Sequence, residues 1–97
     1  MQFIVIARDH NNALDKRLAV RGKHVALGDK MAKTGNALYG VALLNEKKEM
    51  NGSVYIVDFP SRKELDEWLK NEPYVVGNVW GKIEIIPCIV GPSFSKK

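Results

Sequence analysis

Residues 37–59 read ALYGVALLNEKKEMNGSVYIVDF, and the choice of fold turns on this stretch. Two β-rich apolar runs, Ala37 to Leu44 and Ser53 to Phe59, flank a polar excursion from Asn45 to Met50. Asn51-Gly52 is the strongest short hairpin dipeptide, since both residues tolerate the positive φ of a type I′ turn. The stretch therefore predicts two strands joined locally, as antiparallel neighbours. Tyr39, Val41 and Leu43 alternate with Leu38, Ala42 and Leu44, so both faces of the first strand are apolar.

Immediately upstream, Gly35-Asn36 is a helix C-terminal signature, and a helix running from Ala13 to Thr34 precedes it, with Asn12 as its candidate cap. Before that, Gln2 to Ala7 (QFIVIA) is a short continuous apolar run, read as a strand covered on both faces or nearly so. Downstream, Ser61, Arg62, Lys63 and Glu64 form a capping box, and Leu65, Trp68 and Leu69 make one apolar stripe of a helix ended by Pro73. Val79 to Cys88 is the last strand, with Val79, Ile83 and Ile85 on one face and Trp80, Lys82 and Glu84 on the other. Pro87 has no N–H for a ladder, so a break or a sheet edge is expected there.

The order is βαββαβ. Right-handed crossovers then give an α+β, ferredoxin-like domain: a four-stranded antiparallel sheet with both helices on one face. The other face is apolar and bare, and a partner copy is its simplest cover. One domain over residues 1–92 is expected, followed by a flexible tail over 93–97.

The chain has 97 residues, 45% hydrophobic and 27% charged, an ordinary composition for a folded domain. Its single cysteine, Cys88, rules out an internal disulfide framework and any cysteine-only zinc site. No apolar run approaches the roughly 18 residues of a membrane span. The start, MQFIVIARDH, lacks the basic n-region of a signal peptide, so a cytoplasmic location is expected. The net charge of +4 resides in residues 1–35, which hold seven basic and three acidic side chains.

On the first helix, Leu14, Leu18, Val25 and Ala32 cluster on one side, and Val20, Leu27 and Met31 form a second apolar group roughly 100–140° away. Arg17, Arg21, His24 and Gly28 fall between the two groups, whereas Lys16, Lys23 and Lys30 point into solvent. Partly desolvated arginines suit planar anions, and a histidine among them can exchange a proton near neutral pH. Arg17 and Arg21 are thus expected to grip an anionic ligand, with Gly28 leaving room for it. His10 reads as a loop residue, and Tyr74 and Trp80 chiefly as packing, although Tyr74 can line a cleft near Glu72.

Several segments together resemble the YciI family over nearly the whole chain. They are the opening strand running into Arg8-Asp9, the Arg17, Arg21 and His24 pattern in RLAVRGKHV, Gly35 and Gly40 around the second strand, Gly52-Ser53, and Glu72-Pro73-Tyr74 followed by Gly77. The resemblance implies a ferredoxin-like fold pairing into a dimeric α+β barrel, whose cleft holds a catalytic histidine and aspartate. That superfamily includes heme-handling proteins, cofactor-free monooxygenases and muconolactone isomerases. The histidine carries over to His24. The family's aspartate falls at Glu72, which keeps the carboxylate but adds a methylene. Strand two reads LYGVALL in place of the family's usual Gly-Pro-containing stretch.

The expectation is a small cofactor-free enzyme, a lyase or isomerase with His24 and Glu72 as its acid–base pair. Arg8, Arg17, Arg21 and Tyr74 would contact a small anionic or aromatic substrate, with no metal. The alternative is a non-catalytic homodimer that binds a small ligand. An RNA-recognition module shares the element order but displays aromatics along its third strand; here Val54 and Ile56 stand there, so no nucleic-acid partner is expected. No membrane partner is expected either. The loop RDHNNA lacks the glycine that a phosphate-cradling loop uses.

Overall fold

The alternation in QFIVIARD is realised as strand β1 (Gln2–Asp9), with Phe3, Val5 and Ala7 buried and Ile4 and Ile6 half-buried on the opposite face. In the computed structural model, which describes residues 1–95, there follow α1 (Leu14–Thr34), β2 (Ala37–Leu44), β3 (Met50–Asp58), α2 (Arg62–Asn71), the single-turn α3 (Pro73–Val76) and β4 (Trp80–Cys88). A 3₁₀ turn spans Pro92–Phe94; the expected tail's Lys96 and Lys97 lie outside the described residues. The sheet is antiparallel with order β2-β3-β1-β4, the ferredoxin-like α+β arrangement.

Register explains the layers. Phe3, Val5 and Ala7 lie opposite Val57, Tyr55 and Ser53 of β3, and this face is buried against the helices. Met31 of α1, Leu65 and Trp68 of α2, and Tyr74 of α3 complete the core. Val5, Val57 and Leu65 are almost wholly enclosed, and burying side chains of this size stabilises the fold by about 1.5–3 kcal/mol each. On the other face Ile4, Ile6, Val54 and Ile56 meet Tyr39 and Val41, both substantially exposed. Pro87 is accommodated because β4 is an edge strand. No helix among the described residues is long and apolar enough to cross a membrane.

Several local expectations are corrected. The hairpin turns at Asn45–Glu49, not at Asn51-Gly52. The Asn45 side-chain oxygen accepts from the amides of Lys47 and Glu49 at 2.9 and 3.0 Å, and Lys48 adopts φ 63°. Gly52 sits inside β3, where a Cβ would come within 2.9 Å of both the Ala7 carbonyl oxygen and Leu43 Cδ1. Asn12 does not cap α1 with its side chain; it takes φ 58°, and the Ala13 carbonyl accepts the first helical bond, from Arg17. Ser61 bonds the Glu64 carboxylate itself, not a backbone amide, so the reciprocal box is not made.

Trp80 is buried, not on the face of Lys82 and Glu84. The pairing shifts between Arg8 opposite Lys82 and Asp9 opposite Trp80, and the extra residue, Gly81, turns the indole inward. Leu18 and Val25 of the first apolar group on α1 are exposed; Val20, Leu27 and Met31 form the face that packs on the core.

Candidate functional site

Where α1 passes β2, the facing residues are small: Gly28 and Ala32 on the helix, Ala37, Gly40 and Ala42 on the strand. These short side chains leave the space between the two elements unfilled, and a cleft of about 300 Å³ remains. Ser53 and Tyr55 of β3 and Tyr74 of α3 also line it, with Arg17, Arg21 and His24 projecting from α1.

Glu72 occupies the joint between α2 and α3. Pro73 disfavours helical backbone in the residue before it, and Glu72 accordingly adopts φ −63°, ψ 124°. Its side chain, only 1% exposed, accepts the Tyr74 amide at 3.2 Å and bonds Nδ1 of His24. The longer glutamate thus reaches the imidazole. A carboxylate at Nδ1 holds the proton on that nitrogen when the ring is neutral, which leaves Nε2 as the acceptor. His24 also stacks on Tyr74, with centroids 3.8 Å apart and an interplanar angle of 17°.

Arg17 is placed differently from the open, ligand-facing fork that its position suggests. It is 2% exposed. One terminal nitrogen donates to both oxygens of Asp9 at 2.9 and 3.0 Å; the other donates to the Gly52 carbonyl at 2.9 Å and Ser53 Oγ at 2.7 Å. Only Nε lacks a partner. The guanidinium also lies 4.5 Å from the Tyr74 ring centroid. Tyr74 therefore packs against two α1 side chains seven residues apart, Arg17 and His24. Burial raises the Asp9 carboxyl above its ordinary range, a shift that Arg17 opposes. Burial likewise raises the Tyr74 hydroxyl, opposed by Arg17 and Arg21.

Of the remaining expected residues, Arg21 is exposed at the cleft and Tyr74 lines it. Arg8 does not join them. It belongs to the even-numbered face of β1, directed away from the helices, and borders a separate polar concavity with Asp15 and Asn45. His10 is exposed, with Nε2 3.2 Å from the side-chain oxygen of Asn78.

The residue that sequence reasoning missed is Tyr55. Its hydroxyl is 3.2 Å from His24 Nε2. Burial, reinforced by the negative charge of Glu72, pushes its pKa up to about 12. The available signal was the pairing of an aromatic with glycine: Gly40 stands opposite Tyr55, where a Cβ would be 2.8 Å from Tyr55 Cε1. Among the described residues, no three His, Cys, Asp or Glu side chains gather as a metal's ligand set would.

The sequence profile of the YCII-related domain matches residues 1–89. An uncharacterized protein of Haemophilus influenzae is 28% identical over 93 residues, covering 90% of this chain and 95% of that one. Protein YciI of Escherichia coli O6:H1 is 26% identical over 93 residues, with the same coverage. Among solved structures, the 5-chloro-2-hydroxyhydroquinone dehydrochlorinase of Burkholderia phenoliruptrix, in complex with 2,5-dihydroxybenzoquinone, superposes with a TM-score of 0.84. It is 19% identical, over 96% of this chain and 98% of that one, a likeness of fold. With the family profile spanning the whole sheet and every helix around the cleft, the chain belongs to the YCII-related family.

Proposed function

We propose that the protein is a small proton-transfer enzyme of lyase or isomerase type, working without a bound cofactor on a small hydroxylated aromatic or similar anionic compound. The observation that carries this reading is the buried Glu72 carboxylate on Nδ1 of His24, in the wall of the cleft. A proton delivered toward Nε2 makes an imidazolium whose charge Glu72 compensates, so the pair can accept and return a proton without leaving an unpaired buried charge.

The charges around the cleft support a ligand of modest negative charge. Arg17 is neutralised by Asp9, so Arg21 is the exposed cation among the lining residues, and Asp29 opposes it. One delocalised phenolate or enolate suits that field better than a dianion. The volume, about 300 Å³, suits a single substituted ring. The dehydrochlorinase that shares the fold acts on such a compound and holds a dihydroxybenzoquinone. We also propose that the working form is a homodimer with sheets packed face to face, because Tyr39, Val41, Ile4 and Ile56 present an apolar surface on the face opposite the helices.

The test is a panel of halogenated hydroxyhydroquinones and enol lactones, followed by chloride release and ultraviolet absorbance. His24→Gln should keep the fold and abolish turnover. Glu72→Asp should be tolerated, and Glu72→Gln should depress the rate. Saturable binding with no turnover across the panel would make the protein a binding module instead.

A further inference from the structure

We infer that the Tyr55 hydroxyl is the third member of the proton path, the group through which His24 exchanges a proton with a molecule in the cleft. The inference rests on the His24–Glu72 reading above and adds the residue that meets the ligand. Both ring nitrogens of His24 are already engaged, Nδ1 by Glu72 and Nε2 by Tyr55, and Tyr74 covers a face of the ring. A proton passing between the cleft and Nε2 therefore crosses the phenol oxygen.

Tyr55 is held too closely to swing aside. A Cβ on Gly40 would be 2.8 Å from its Cε1, and one on Gly28 would be 3.1 Å from its hydroxyl oxygen. The two glycines, one from β2 and one from α1, make a slot that fits this ring. Trp68 packs edge-on at 5.6 Å between centroids. With its pKa pushed up to about 12, the phenol is neutral at ordinary pH and donates to the acceptor nitrogen. In the step, an acidic hydroxyl of the ligand gives its proton to the Tyr55 oxygen as the Tyr55 proton passes to Nε2. The products are a ligand oxyanion and an imidazolium paired with Glu72, and Tyr55 ends neutral. Reversal of the same transfers returns the proton to the product.

The experiment uses the full chain labelled with ¹⁵N-histidine, as wild type and as Tyr55→Phe, which keeps the ring in its slot and removes the hydroxyl. The Nε2 resonance of His24 should move toward that of an unbonded acceptor nitrogen. With a substrate from the panel above, kcat should fall by about 100-fold or more, with KM little changed. As a second variant, 3-fluorotyrosine at position 55 acidifies the phenol without deleting it, and should move the alkaline limb of the kcat profile to lower pH. A purely structural tyrosine would not do this.

An unmoved Nε2 resonance overturns the inference, whether or not a substrate is in hand. So does a Tyr55→Phe enzyme retaining kcat within about two-fold while His24→Gln is inactive, and that result leaves the His24–Glu72 pair standing. Turnover surviving in His24→Gln refutes the pair itself.

Discussion

Arg17→Met should destabilise the protein severely while leaving its backbone pattern intact. In the wild type, Arg17 and Asp9 are buried to 2% and 3% side-chain exposure, and the guanidinium makes four hydrogen bonds. Methionine fills much of the same space but leaves a buried carboxylate without its cation and the Gly52 carbonyl without this donor. Breaking such a pair from one side costs about 3–5 kcal/mol, against a total stability of about 5–15 kcal/mol for a domain of this size. Desolvation already outweighs Arg17 at Asp9, so its carboxyl sits above its ordinary range in the native state. Without Arg17 it must rise further. The folded variant then binds a proton more tightly than the unfolded chain, so lowering the pH favours folding. The deficit against wild type should be greatest near pH 7 and shrink as pH falls toward 4. Urea unfolding followed by the fluorescence of the buried Trp68 and Trp80 measures it. The double variant Asp9→Leu/Arg17→Met, which removes both charges, should recover most of the loss. A loss under about 1 kcal/mol at pH 7, a deficit independent of pH, or a double variant no better than the single would each refute the reasoning.

Tyr55 predicts a signature of the same sense in an alkaline window. Its neutral form is favoured on folding, with a pKa raised from 10.0 to about 12, so its contribution is present below pH 10 and lost as pH rises toward 12. Relative to Tyr55→Phe, wild type should lose roughly 2–3 kcal/mol over that window, and parallel unfolding curves would count against it. Gly40→Ala, whose Cβ would meet Tyr55 Cε1 at 2.8 Å, should cost about 1–3 kcal/mol in thermal unfolding and disturb the His24 Nε2 resonance. Val41→Glu, on the face opposite the helices, should give monomer or aggregate by sedimentation. A variant with wild-type association would refute the face-to-face dimer.

Element order was legible because it rests on local signals: runs of β-branched residues, a glycine at the end of α1, a proline after α2. Those signals report what each segment does with its own backbone, so β1, β2, β3 and β4 fall where the patterns put them, within a few residues. Turns were less legible. Asn51-Gly52 has the better hairpin chemistry, yet Gly52 is needed inside β3 for its close approach to Ala7 and Leu43, and Asn45 builds the turn with its own side chain. The strand's alternation misplaces Trp80 because a one-residue bulge at Gly81 inverts the parity at that position.

The candidate site divides along the same line. Helical spacing brought Arg17, Arg21 and His24 to one side of α1, and family resemblance supplied Glu72 as the partner of His24. What the spacing could not carry was occupancy. Whether an arginine faces a ligand or a buried carboxylate depends on what stands across from it, and Asp9, Gly52 and Ser53 reach Arg17 only once β1 and β3 are paired. Tyr55 is 31 residues from His24, and the slot that holds it comes from Gly28 and Gly40 on two other elements. The sequence by itself determined the alternation that turns Tyr55 inward and the i, i+7 interval between Arg17 and His24, because these are properties of a strand's and a helix's own repeat. Only the tertiary structure decided which cation is neutralised and which hydroxyl meets the imidazole, because burial and contact across distant segments exist only after the chain has folded.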